Sequence, residues 1–182
     1  INTATTTGNE NGINAVNNGT GALSITTTGT TTSDTGEGID AKNDGTDLTI
    51  NAATTTGADD GIQADNNGSG TLSITTTGTT TGDTDDGIDA ENYGTDLTIN
   101  AATTTGADHG INADNNGSGA LSITTTGTTT GEIDDGIYAR NSSTGTDLTI
   151  NAATTTGAVE GIEANNYGYG ALSITTTGTT TG

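Results

Sequence analysis

The chain has no cysteine, proline, methionine, phenylalanine or tryptophan, and only two basic residues against 23 acidic ones. Lack of cysteine removes disulfides and thiol nucleophiles and suits any compartment, extracellular proteins that rely on stacking rather than cross-links included. A net charge of −21 with only Lys42 and Arg140 as cations excludes nucleic acid and anionic membranes as partners. No run of 18 apolar residues occurs, so this segment does not insert in a membrane as a helix. Hydrophobic residues are 27% and aromatics 2%, a composition that with such charge belongs to disordered chains.

A strict register overrules that composition. Directly after a glycine the chain writes Ile-x-Ala-x-Asn seven times, beginning at Ile13, Ile39, Ile62, Ile88, Ile111, Ile137 and Ile162. Between the copies stands Leu-[Ser/Thr]-Ile, with Leu-to-Leu steps of 25, 24, 25, 24, 27 and 24 residues from Leu23 to Leu172. A disordered chain has no reason to hold such a phase. A period of this length with apolar residues at every second position predicts an all-β, right-handed parallel β-helix. Three short strands per coil, about seven coils and one repeat segment over 1–182 follow. Each coil is too thin to bury its own apolar face and must stack on its neighbours. Threonine, 48 of 182 residues, favours strands, and the 30 glycines are expected at corners that need positive φ.

Two kinds of coil alternate. Short ones carry Leu-Thr-Ile-Asn-Ala-Ala, as at Leu48, and long ones Leu-Ser-Ile-Thr-Thr-Thr, as at Leu72. The unit is therefore a pair of coils, 49 residues, with two extra residues near Ser142-Ser143. Ile1-Asn2 matches Ile50-Asn51 in mid-coil, and Gly182 also falls in mid-coil, so the segment is expected to be a piece of a longer chain.

Alternation assigns the faces. Leu72, Ile74 and Thr76 point inward, as do Ile88, Ala90 and Asn92 on the third strand. Asn17, Asn43, Asn66, Asn92, Asn115, Asn141 and Asn166 would then form a vertical amide ladder, each also suited to a left-handed corner. The residue after each phrase isoleucine points outward: Asn14, Asp40, Gln63, Asp89, Asn112, Tyr138 and Glu163. Two places on stand Val16, Lys42, Asp65, Glu91, Asp114, Arg140 and Asn165. These columns differ from coil to coil while the rest repeats, so any binding face lies there. Tyr93, Tyr138, Tyr167 and Tyr169 are the only aromatics and sit on it or at its corner.

Acidic residues gather before the Gly-Ile phrase. Stacked carboxylates at Asp60, Asp86, Asp135 and Glu160 would repel one another, and a hard cation such as calcium would relieve that. The opposing reading is a solvated acidic edge that keeps a rod soluble. No calcium-binding nonapeptide or EF-hand spacing is present, and no other cofactor is expected. Catalysis is not expected either. Lys42 and Arg140 lie ~19 Å apart over four coils, and His109 stands alone in its turn. Outward threonines such as Thr75 and Thr77 raise ice binding as an alternative, but intervening coils put Asn51 and Ala53, or Asn100 and Ala102, in their places. Four glycosylation-type patterns, beginning at Asn18, Asn67, Asn116 and Asn141, are common by chance in such a chain.

The Gly-Ile-x-Ala-x-Asn-x-Gly phrase, followed by Leu-Thr-Ile and then Thr-Thr-Gly, resembles the repeats of type V autotransporter passengers, large surface proteins of Gram-negative bacteria. The resemblance runs through all seven coils, with threonine where those strands usually carry valine. It implies an extracellular or cell-surface protein with a structural or adhesive role. On it rests the expectation of a stiff acidic rod that projects from the cell and mediates adhesion, through a host or surface ligand, or self-association. The alternatives are a filament subunit stacked end to end, a calcium-dependent adhesin and an ice-binding rod.

Overall fold

The computed structural model describes residues 1–182 as a single parallel β-solenoid of 23 short strands. It contains no helix, and so none long and apolar enough to cross a membrane. Three parallel sheets of eight, eight and seven strands run along it, and each strand pairs only with its counterparts one coil before and after. In one long coil these are Leu72–Thr76 of the first sheet, Thr79–Gly82 of the second and Ile88–Asn92 of the third. At ~4.8 Å between strands, seven coils make a column of roughly 35 Å.

The register is the one that the repeats require. Leu72 pairs with Leu48 and Leu97, and Ile88 with Ile62 and Ile111. The extra residues at Ser142-Ser143 swell a turn, where the Ser142 and Thr144 hydroxyls both donate to the Gly117 carbonyl, and the strands beyond keep their pairing. Inward positions form one continuous core of isoleucine, leucine and alanine from Ile13 to Ala152. No aromatic ring is needed because each column is one aliphatic side chain wide.

Two polar columns share this interior. The asparagine ladder forms as expected: each amide donates to the next asparagine's Oδ1, from Asn17 to Asn166, at 2.7 to 3.2 Å. The same nitrogen also donates to a turn carbonyl, such as that of Thr46 for Asn43 and Thr95 for Asn92. Asn43, Asn66, Asn92 and Asn141 are fully buried, so the ladder satisfies groups that water cannot reach. The second column is the middle threonine of each second-sheet strand. Thr55, Thr80, Thr104 and Thr129 are fully buried, and their hydroxyls have no partner.

One expectation about the corners is corrected. No residue, glycine or otherwise, has positive φ, so neither the glycines nor the asparagines serve left-handed turns. Close approach is what requires glycine. Gly12, Gly38, Gly61, Gly87, Gly110 and Gly136 stack, and a Cβ on any of them would lie 2.5 to 2.6 Å from the next glycine's carbonyl oxygen.

Candidate functional site

Three features stand out from the repetitive frame: an acidic corner between the second and third sheets, the outward face of the third sheet, and the outward face of the second.

The corner column consists of the residue before each stacked glycine. Its members are Asn11, Glu37, Asp60, Asp86, His109, Asp135 and Glu160. Successive glycine amides donate to the carbonyls of this column one coil on, for example Gly61 to Asp86 and Gly87 to His109, both at 3.0 Å. The expected solvated edge holds only in part: Asp60, Asp86 and Asp135 are buried, while Asp85 and Glu160 are exposed. Each uses Oδ1 to accept the backbone N–H of the next column member: Asp86 on Asp60 at 2.9 Å, His109 on Asp86 at 2.8 Å, and Glu160 on Asp135 at 3.0 Å. Asp47, Asp96 and Asp147 do the same at another corner, for Thr71, Ala120 and Ala171. Aspartate thus replaces a ladder carbonyl just before the chain enters its next strand, and part of the acidity is structural.

Burial comes at an electrostatic cost. It pushes the Asp60 carboxyl up to about 8, with the Asp89, Asp85 and Asp86 charges adding to it against the Asp86 N–H that favours the anion. Asp89, on the adjoining face, is raised to about 7 by burial and then by Asp86, Asp65, Glu91 and Asp85. Glu160, which is exposed, is raised by its contact with Asp135 and by the charges around it.

Contrary to the sequence reading, His109 does not stand alone. Its Nδ1 lies 3.0 Å from Asp86 Oδ1 and 3.9 Å from Asp108, and its Nε2 is 3.7 Å from Asp134. The hydrogen bond to Asp86 leads in raising its pKa to about 9, against burial. The imidazole thus sits among three carboxylates of the acidic corner, which favour its protonated form. Its ring also meets Tyr138, with centroids 5.7 Å apart and planes tilted by 52°.

The four carboxylates named as a calcium set do not form one site. They fall into separate groups whose oxygens or ring nitrogens lie within 4.8 Å of one another: Asp60 with Asp85 and Asp86, and Asp135 with Glu160 and Glu163. His109 joins two further groups, with Asp86 and Asp108 and with Asp134 and Asp135. Hard oxygen donors of this kind suit a divalent cation. Their Oδ1 atoms at Asp60, Asp86 and Asp135 are already engaged by backbone N–H groups.

On the third sheet the outward columns fall where alternation put them. Asn14, Asp40, Gln63, Asp89, Asn112, Tyr138 and Glu163 are successive neighbours, and so are Val16, Lys42, Asp65, Glu91, Asp114, Arg140 and Asn165. The structure adds the ties between them. Arg140 grips Asp114 with Nε to Oδ1 at 2.7 Å and a terminal nitrogen to Oδ2 at 2.9 Å, and also reaches Asn116 at 3.3 Å. Asp40 accepts from Asn14 and Asn11 at 2.8 and 3.1 Å. Tyr93 donates to Glu91 at 2.6 Å, and Tyr167 and Tyr169 stand exposed at the last corner.

The outward second-sheet face was missed by sequence reading, which tested threonine order only on the first sheet. There the interruption is real: Thr75 pairs with Asn51 on one side and Asn100 on the other. On the second sheet threonine meets threonine at every rung. One outward column runs Thr7, Thr32, Thr56, Thr81, Thr105, Thr130, Thr156, Thr181 without a gap. A parallel column two residues earlier pairs Thr30 with Thr54, Thr79 with Thr103 and Thr128 with Thr154. The signal was present as Thr-Thr-Thr in every coil and was absorbed by strand propensity.

Compared with known protein families, curated proteins and solved structures, the chain matches none.

Proposed function

We propose that this chain is the shaft of a bacterial surface or secreted protein of the autotransporter-passenger kind, a stiff acidic rod that serves adhesion or self-association. One observation carries the reading: constant and variable columns are segregated. The inward columns and the second sheet repeat nearly unchanged and the first sheet alternates between two forms, while outward side chains of the third sheet differ from each coil to the next. Repetition of the frame supports a mechanical task, because each coil is bonded to both neighbours along three sheets and bending must strain all of them. Variation on one face supports contact with something outside. Tyr138, Arg140 and Tyr167 gather there at one end, and tyrosine and arginine are favoured contact residues. The acidic charge keeps such a rod soluble.

Electron microscopy of the purified segment, followed by adhesion of beads coated with it, tests the proposal. Discrete rods of roughly 35 Å that retain beads on cell or abiotic surfaces, with retention lost in a Tyr138→Ser/Arg140→Ser/Tyr167→Ser variant, support it. Indefinite fibres would replace it with a filament subunit. Rods whose beads are retained no better than uncoated ones would overturn the adhesive role.

A further inference from the structure

We infer that the outward threonine face of the second sheet binds ice, holding a layer of ordered water against the crystal. The inference goes beyond the shaft reading and does not depend on it, since the third-sheet face and this one are different surfaces.

The argument starts from spacing. Neighbouring threonines in a column are one coil apart, ~4.8 Å, and the two columns are two residues apart along the strand, about 6.6 Å. The face is therefore a two-dimensional lattice of hydroxyl and methyl groups rather than a single row. A face of ice likewise presents its oxygens as a repeating two-dimensional array, which a single row of groups would match in one direction only. The column from Thr7 to Thr181 keeps that lattice over eight successive strands.

Chemistry adds a second line. A threonine hydroxyl donates one hydrogen bond and accepts two, as a lattice water requires, while its methyl group orders the water beside it. Along the two outward columns one hydroxyl–hydroxyl bond forms, Thr32 to Thr7 at 3.2 Å. From Thr54 to Thr156 the outward hydroxyls are left for solvent. β-Branching leaves few χ1 rotamers, so the groups are held in position before water arrives.

Charge adds a third. In a chain of net charge −21 no charged residue stands on this lattice. The first acids, Asp34, Asp83 and Glu132, lie just past the strand ends on alternate coils, with Ala58, Ala107 and Ala158 between them. An ion at the surface holds its own water shell and disrupts a crystalline one, so a neutral face is the complement that ice demands. The first sheet serves as the internal contrast: asparagine and alanine break its threonine order at every second rung.

The test is ice growth in the presence of the chain, read as the gap between melting and freezing points and as crystal shape. The unmodified chain is expected to open a gap and facet the crystals. Thr81→Tyr with Thr105→Tyr, in the middle of the lattice, should abolish most of the gap, while Thr75→Tyr with Thr124→Tyr on the first sheet should leave it intact. Circular dichroism and the melting temperature report whether each variant is folded. Should a second-sheet variant unfold, Thr81→Ser with Thr105→Ser removes only the two methyl groups and should still reduce the gap. The inference is overturned by ice growth unchanged from that in an unrelated acidic protein, or by equal loss from first-sheet and second-sheet variants.

Discussion

At the scale of single residues, this fold decides its polar interior by whether partners repeat. Asparagine repeats at one inward position, so each amide finds the next, and the ladder was legible from the sequence for that reason. The buried threonines repeat too, yet the hydroxyls of Thr55, Thr80, Thr104 and Thr129 remain unpaired. A buried hydroxyl without a partner costs ~1–3 kcal/mol, and valine has nearly the same shape. Thr80→Val is therefore expected to leave stability unchanged or raise it by about 1 kcal/mol in denaturant unfolding. A loss of that size would mean the hydroxyl is bonded through a trapped water. His109 was the residue least legible in sequence. Its column holds asparagine, aspartate, glutamate and histidine, so no single residue type marked the position. Only its place directly before Gly110 tied it to the buried acids.

At the scale of elements, alternation with a period of two gave the inner faces of the first and third sheets correctly, because a slip of one residue would have turned isoleucine and leucine out to solvent; the all-threonine strands of the second sheet carry no such contrast. Corners were harder. Their glycines suggested left-handed turns, yet the constraint is contact between coils, which a single coil's sequence does not display. The stacked glycines sharpen this into a prediction. A Cβ at Gly87 would lie 2.5 Å from Thr104 Cγ2 and 2.6 Å from the Gly110 carbonyl oxygen. The oxygen belongs to the backbone and cannot swing away. Gly87→Ala is expected to destabilise the solenoid by ~1–3 kcal/mol, as overpacking does, with the loss visible as a lower unfolding midpoint. Gly21 offers the control, since nothing lies within 4 Å of the same added atom there. Burial of the corner aspartates was hidden for a related reason: the backbone N–H groups that hold them come from the next coil.

At the scale of the whole molecule, the charges set a direction with pH. Asp60 and Asp89 have folded pKa values of about 8 and about 7, both raised from 3.8. A carboxyl raised in this way binds its proton more tightly folded than unfolded, so its stabilisation is complete below the unfolded value and lost as pH rises through the folded one. His109, raised from 6.5 to about 9, acts in the same sense and at the alkaline end. Stability should therefore fall from about pH 4 to about pH 9. Thermal melts followed by circular dichroism should give a lower midpoint at the alkaline end than near pH 5, by roughly 5 °C or more. A midpoint that climbs with pH over this interval would contradict the placement of these groups. The pairing of short and long coils has one more consequence. Since each two-coil unit, 49 residues apart from the insertion near Ser142-Ser143, returns the inward columns to their starting phase, recombination between units can delete or add one while keeping the inward register. Such a gene can tune reach like a ruler, in increments of about 10 Å, with lengths between those marks unavailable to it.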